Sequence, residues 1–419
     1  MALIRPFSLL SLLLFGACMN SHQIQSMHQV LHDPPRFQRE YGDHGQTLAM
    51  VTLPDSLWTG LTLRNWTFEH VVFDGTRFDT VVFENATFDH CEFRKAVFKG
   101  VLFKNCRFNK PVLRGGKWAR NTFSGGEMSG FDSKNEIEQR ISAEWIGNVF
   151  ENFYFHDNHP GPDAGIWYDC VFRDSRLENN AFGESVDPTL QDQTAWSTSV
   201  ESISFERCHF KGNNWRQSFT SGTIRDCTID GDDFDGMNGI IENATFKVLR
   251  GVTVEGNVHD CQFESSVAGD EGFGMSGGRN VVARNFQHGF SINNSEDVTL
   301  DGSQAGNLTL QGSIRRATVR NITAREFDLE GASLEDVVFE NVNAEDLFLE
   351  GAVLKRCTFR NITISTSVFV GKKAAQDPVF EDCKFENVHR LPGTTVNRMV
   401  KERAIGYVLP WESAPGVSK

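Results

Sequence analysis

The chain has 419 residues and a net charge of −14, with 55 acidic side chains against 41 basic ones. That balance disfavours nonspecific nucleic-acid binding, which draws its affinity from basic side chains that displace counterions. Phenylalanine is abundant (35) and tyrosine scarce (4), the bias of a stacked apolar interior rather than of two or three ordinary domains.

Residues 1–17 read as a secretory signal. Arg5 gives a short basic start, Phe7 to Phe15 an apolar run, and small Gly16 and Ala17 precede Cys18. The run is too short to span a bilayer as a helix, and no later apolar run is long enough either. The ending Gly16-Ala17-Cys18 resembles the bacterial lipoprotein box, with Phe15 where leucine is usual. The resemblance implies cleavage before Cys18, diacylglycerol on its sulfur and acylation of the new N-terminus. Several acyl chains anchor stably where one is marginal. Simple secretion with an incidental cysteine is the plainer alternative. Met19 and Asn20 follow, with no aspartate beside the cysteine, which in Gram-negative lipoproteins implies the outer rather than the inner membrane. Removing residues 1–17 takes away one charged residue, Arg5, and leaves −15. Residues 18–50 are polar, dotted with histidine, and contain Pro34-Pro35; they read as a tether from the lipid to the folded part, which spans 51–390.

From Leu61 to Met128 a large apolar residue recurs at every fifth position. The series opens Leu63, Phe68, Phe73, runs through Phe108 and closes Leu113, Trp118, Phe123, Met128. A second series runs Leu329, Leu334, Phe339, Ala344, Leu349, Leu354, Phe359, Ile364, Phe369. Five matches neither the 3.6 of a helix nor the 2 of a strand, and a fixed short period marks a solenoid. Two residues before each large one stands a small or apolar residue, such as Val71, Ala86 or Cys91. The two share one side of an extended segment, because strand side chains alternate. Each pentad is therefore a short strand and a turn, apolar inward and polar outward.

The units Ala86-Thr87-Phe88, Cys91-Glu92-Phe93 and Ala332-Ser333-Leu334 resemble the pentapeptide-repeat family. The resemblance implies an all-β fold, a right-handed quadrilateral parallel β-helix with four pentads to a coil, and implies no activity. Outer charges test the four-sided reading independently. Positions 20 apart would then be strand neighbours, which sets Asp74 beside Arg94, Asp79 beside Lys99, Glu84 beside Lys104, Glu335 beside Lys355 and Glu340 beside Arg360. Glu69 beside Asp89 and Glu330 beside Glu350 break the rule.

After Met128 the period falters, which predicts loop insertions at about 129–165, 183–200 and 265–280. The first holds Asn148 and the run His156, Asp157, His159, Asp163; the second holds Trp196; the third is Gly-rich and holds Gly272 and Phe273. These residues are the candidate recognition surface, since loops on a rigid scaffold are where binding concentrates. Neutral drift is the bland alternative, because surface insertions cost little. Residues 391–419 read as a cap and tail, with Thr394–Ala404 as a short helix carrying Val396, Met399 and Val400 on one side.

Eight cysteines, Cys91, Cys106, Cys170, Cys208, Cys227, Cys261, Cys357 and Cys383, each precede a large pentad residue by two. Inward placement predicts free buried thiols, with a bridge between neighbouring coils as the alternative. The Asn-X-Ser/Thr sequences fall in the repeat register and carry no glycosylation signal. Asp230-Gly-Asp232-Asp233-Phe234-Asp235-Gly236 lacks the alternating carboxylates and later glutamate of a calcium loop. His156, Asp157, His159 and Asp163 could bind a metal, a solvated insertion being the plainer reading, and no cofactor or catalytic motif is visible. Three functions compete: a lipid-anchored binding or scaffold protein with an envelope or surface protein partner, a β-helical polysaccharide lyase or hydrolase, and a DNA mimic. Export argues against the last.

Overall fold

A computed structural model describes residues 21–30, 33–42, 45–131, 143–158, 166–180, 199–215, 221–232, 236–247, 252–265, 272–370 and 377–397. The chain divides into two compact units, Met1–His209 and Phe210–Lys419. Each is a parallel β-solenoid. Residues 1–20, including Cys18, lie outside the described set.

In the first unit each pentad makes a three-residue strand with its middle residue buried, as in Thr67–Glu69, Val72–Asp74, Arg77–Asp79 and Val82–Glu84. Four such strands make four walls of a coil. Every fifth residue from Met50 to Gly130 has φ between 44° and 68°, so each turn is made by one left-handed residue. Asparagine, histidine and glycine dominate there because they tolerate that region best. Ladder partners are 20 residues apart: Phe68 pairs with Phe88, Phe73 with Phe93 and Phe78 with Phe98. The stacked rings are 4.9, 5.1 and 4.5 Å apart and within 13° of parallel. Such pairs add about 0.5–1.5 kcal/mol each beyond the area they bury.

The register bears out the charge columns, though side chains choose among several partners. Lys104 meets Glu84 at 2.8 Å and Arg360 meets Glu340 at 3.1 Å. Arg94 instead turns along its own strand to Glu92, and Glu335 takes Arg356 and Arg315 rather than Lys355.

Three expectations need correction. Residues 21–42 are not a bare tether. They form the helices Ser21–Val30 and Pro34–Phe37 and a π-helical turn Gln38–Gly42. Met27 and Phe37 are fully buried, and the Phe37 ring lies 5.8 Å from Trp58 and 6.2 Å from Trp66. The first coil exposes a disc of apolar rings, and Phe37 covers it. The solenoid then starts at Thr47 rather than Val51. Second, the interruptions are shorter than the sequence suggests. Glu144–Ile146, Val149–Glu151 and Tyr154–His156 are regular strands, and so is Phe273–Arg284. Pentads resume after each insertion because the ladder of the coil below templates the next. Third, Thr395–Asn397 is a strand on Ser367–Phe369, not the start of a helix. The open backbone edge of Thr358–Phe369 satisfies those residues better than an isolated turn. Residues 398–419 lie outside the described set.

In the second unit the strands are longer, reaching 16 residues in Glu296–Gln311. Its ladders are also parallel, with Val319 pairing to Phe339 and Phe339 to Phe359. Among the described residues no helix is long and apolar enough to cross a membrane.

Candidate interaction surface

Follow one wall of the first unit upward. Met128 pairs with Phe155 and Phe155 with Leu177. The wall after next is equally continuous, with Trp118, Trp145, Trp167 and Val200 in ladder register. Among the described residues the wall between them ends at Val112–Arg114. In chain order, residues 132–142, 159–165 and 181–198 each stand between a strand of the first wall and a strand of the wall after next, in three consecutive coils.

The edge they leave from is lined by buried amides. Asn158 and Asn180 occupy inward slots; both Asn158 N and Nδ2 donate to Asn180 Oδ1, at 3.2 and 2.9 Å. Asn158 Nδ2 also donates to Met128 O, and Asn180 Nδ2 to Phe155 O. A second ladder joins Asn121 to Asn148, whose Oδ1 accepts from Asn121 N and Nδ2. These amides bond backbone carbonyls of the coil below, as the inward Cys91 and Cys106 thiols do in the regular coils. Sequence reading named Asn148 as part of an interruption and did not see the ladder, although asparagine two residues before Phe123 and Phe150 was the available signal.

Beside that edge the outward side chains form a network. The Tyr154 and His156 rings stack at 4.1 Å. Tyr154 Oη donates to Glu178 at 2.7 Å, and Arg176 lies 4.9 Å over the Tyr154 ring while also holding Glu178. His156 Nδ1 is 2.9 Å from Asp157, and Asn179 donates to the other oxygen of Asp157. Burial and the bond to Glu178 push the Tyr154 phenol up to about 12, so it stays protonated near neutral pH. The arrangement is a set of committed donor–acceptor pairs beside an aromatic platform, suited to contact rather than to proton abstraction.

The sequence candidates separate accordingly. His156 ends a strand and Asp157 is the left-handed corner after it, φ 52°, so neither is in a loop. His159, Asp163 and Trp196 lie outside the described residues. Gly272 and Phe273 belong to the second unit and to its regular coil. Phe273 is buried, 4.9 Å from Phe263, and is therefore a core residue rather than a recognition residue. Gly272 lines a shallow depression of about 360 Å³ with His288, Ser291, Asn307 and Thr309. A second depression of about 710 Å³ holds His259, Asp260, Arg279, Asn280 and Asp297. There Asp260 already accepts from Asn280 and faces His259. Among the described residues no group of three or more His, Cys, Asp or Glu is placed to hold a metal.

Seven of the eight inward cysteines are buried free thiols, and Cys383 is partly exposed. Burial pushes the Cys91 and Cys106 thiols up to about 12, which leaves them inert. Asp232 also takes an inward slot. Its Oδ1 accepts from Asn213 N and Nδ2 and from Trp215 Nε1, while Oδ2 meets no partner among the described residues. Burial drives its carboxyl up to about 7.

Residues 54–97 match the profile "Pentapeptide repeats (9 copies)" and residues 317–369 the profile "Pentapeptide repeats (8 copies)". No curated protein matches the chain. Among solved structures it is similar to HetL, a pentapeptide repeat protein involved in heterocyst differentiation regulation from the cyanobacterium Nostoc sp. strain PCC 7120. Identity is 10%, over 87% of this chain and 94% of that one. The TM-score of 0.27 is too low for that likeness to bear on this chain. The two matched runs and their 20-residue ladders together make the chain a pentapeptide-repeat protein.

Proposed function

We propose that the protein is a lipid-anchored, non-enzymatic binding scaffold of the bacterial cell envelope, held in the outer membrane through acylated Cys18. Its partner is an envelope or surface protein. The observation that carries the reading is that segments 132–142, 159–165 and 181–198 each connect the same two walls, in three consecutive coils. Together these segments are 36 residues of non-repeat chain, each following a strand of the wall that carries Tyr154, His156, Arg176 and Glu178. Loops on a stiff scaffold are the usual place for recognition. The outward carboxylates Glu178, Glu206 and Asp174 are engaged by Arg176, Arg173 and Arg207, so none of these three is the free acid that a glycosidase uses.

The anchoring half is tested by palmitate labelling. Wild type should incorporate label and fractionate with the outer membrane. Cys18→Ala should lose the label and accumulate as precursor or shift fraction. Equal labelling of the variant would refute it.

A further inference from the structure

In the second unit, Cys357 and Cys383 fill the small inward slot of consecutive coils. Each stands two residues before a stacked phenylalanine, Phe359 and Phe385, whose rings are 5.2 Å apart. Thr358 and Lys384 are ladder partners, and Lys384 N donates to Cys357 O at 2.8 Å. The two cysteines are therefore side by side, one strand spacing or about 4.8 Å apart. That falls inside the roughly 4.4–6.8 Å Cα range of disulfides. Three other columns differ: Cys91 stands between Val71 and Pro111, Cys106 between Ala86 and Gly126, and Cys261 between Ala244 and Val281. Cys208 and Cys227 are both buried, unlike Cys383.

We propose that Cys357 and Cys383 are a redox pair that closes to a disulfide and staples the coil containing Val379–Glu381 and Lys384–Arg390 to the coil before it. Three observations converge. Cys383 is the one partly exposed thiol of the eight, so an oxidant reaches it. The strands Val379–Glu381 and Lys384–Arg390 pair on one side only among the described residues, which lets their backbone give the few tenths of an ångström that bonding needs. Side by side, the two thiols also influence each other: their interaction lowers Cys383 and raises Cys357.

The oxidant is a disulfide, small-molecule or protein-borne. The Cys383 thiolate attacks one of its sulfurs, forming a mixed disulfide and expelling one thiolate, which takes up the proton Cys383 lost. Cys357 sulfur then attacks the Cys383 sulfur, the Cys357 proton passes to the second thiolate, and that thiol departs. Two protein thiols are oxidised, one disulfide is reduced to two thiols, and no proton is left over. Export would supply such an oxidant in the cell, so the physiological occurrence of the bond rests on the proposed localisation. The chemistry itself does not.

The test uses the full chain with Cys18→Ala, reduced and then equilibrated with glutathione mixtures of rising oxidised fraction. The samples are acid-quenched, unfolded and labelled with N-ethylmaleimide. Label should be lost from two sites together, Cys357 and Cys383, leaving six labelled cysteines and a linked peptide pair on mapping without reductant. Cys383→Ala should keep Cys357 fully labelled, whereas Cys91→Ser should leave the paired loss unchanged. If either variant misfolds, the wild-type peptide map decides alone. Eight labels persisting at every ratio in a folded protein would overturn the proposal. So would Cys383 ending as a glutathione adduct, or as a bridge between two chains, with Cys357 still labelled.

Discussion

The coils between Thr47 and Ser129 and those between Gly222 and Val258 are built from the same pentads and differ in perimeter. In the first, ladder partners are 20 residues apart. In the second they are 17 apart, with Ile224 opposite Ile241 and Ile241 opposite Val258. The difference lies partly at one corner. A regular corner uses two residues, a left-handed one and a small inward one. From Met237 to Ile241 the spacing is four, and Gly239 does both jobs at φ 138°. A Cβ on Gly239 would stand 2.1 Å from Gly222 O, and one on Gly256 2.5 Å from Gly239 O. The interior of the smaller coil is filled mostly by aliphatic side chains, Ile224, Ile229, Met237, Val254 and Val258, with Phe246 stacked on Phe263 on one wall, where the larger coil stacks phenylalanine on every wall. Glycine corners thus let the narrow coils close, while 20-residue coils accept either phenylalanine, as at Phe68 and Phe88, or aliphatic side chains, as at Leu334 and Leu354.

That comparison can be broken by truncation. Phe88 lies between Phe68 and Phe108, its ring 4.9 and 4.7 Å from theirs. Phe88→Ala should cost about 3–5 kcal/mol in urea unfolding. Ile229→Val in the narrow coil should cost only about 0.5–1.5 kcal/mol. A reversed order would show that the narrow coils are the more tightly determined.

Asp232 gives the narrow region a pH dependence that the phenylalanine coils lack. Its folded pKa of about 7 lies above the ordinary carboxylate value, so the fold favours the protonated acid. The stabilisation is complete below about pH 4 and is lost as pH rises through 7. Wild type should melt lower at pH 8 than at pH 5, by an amount on the order of a few kcal/mol. Asp232→Asn should flatten that dependence and raise the melting temperature at pH 8. An unchanged pH profile in the variant would place the ionisation elsewhere.

Corner chemistry should separate the regions on a finer scale. Gly239→Ala meets a carbonyl oxygen and should destabilise by more than about 1 kcal/mol. Gly100→Ala, at φ 60° with its nearest neighbour 3.7 Å away, should show only the left-handed penalty of about 1 kcal/mol. Thr80 is the one β-branched residue among the left-handed corners of the square coils, φ 55°. Thr80→Asn should therefore stabilise, by about 0.5–1 kcal/mol. Calorimetric melting of the three variants measures the series, and a destabilised Thr80→Asn would mean that its bond to Asp79 O matters more than backbone strain.

Much of this was legible in the chain. The five-residue period and the inward slot of each cysteine follow from strand alternation, and the 20-residue register was readable from charges such as Glu84 and Lys104. What escaped depended on tertiary templating. Trp145, Phe150 and Phe155 keep the five-residue spacing, but the run is too short to stand out between two interruptions; the ladder of Glu127–Ser129 below fixes Tyr154-Phe155-His156 as a strand. Phe37 looked like an isolated apolar residue in a polar stretch, yet the first coil offers Trp58 and Trp66 for it to cover. Phe273 was read from its glycine surroundings as exposed, and packing turned it inward. The candidate surface was half visible: the interruptions were located, but the two walls that all three connect need the wall count that only the fold supplies.

The central claim is that these segments, and not the regular walls, are where a partner binds. The direct measurement replaces residues 132–142, 159–165 and 181–198, singly, with short Gly-Ser bridges and compares in-cell crosslinking of each variant with wild type. Circular dichroism and melting should stay close to wild type, because the ladders on either side are untouched, while a partner crosslinked by wild type is lost in at least one variant. If all three variants keep every crosslinked partner, and Glu330→Lys with Glu350→Lys on a regular wall of the second unit removes them, the binding surface belongs to the solenoid wall and the account is wrong.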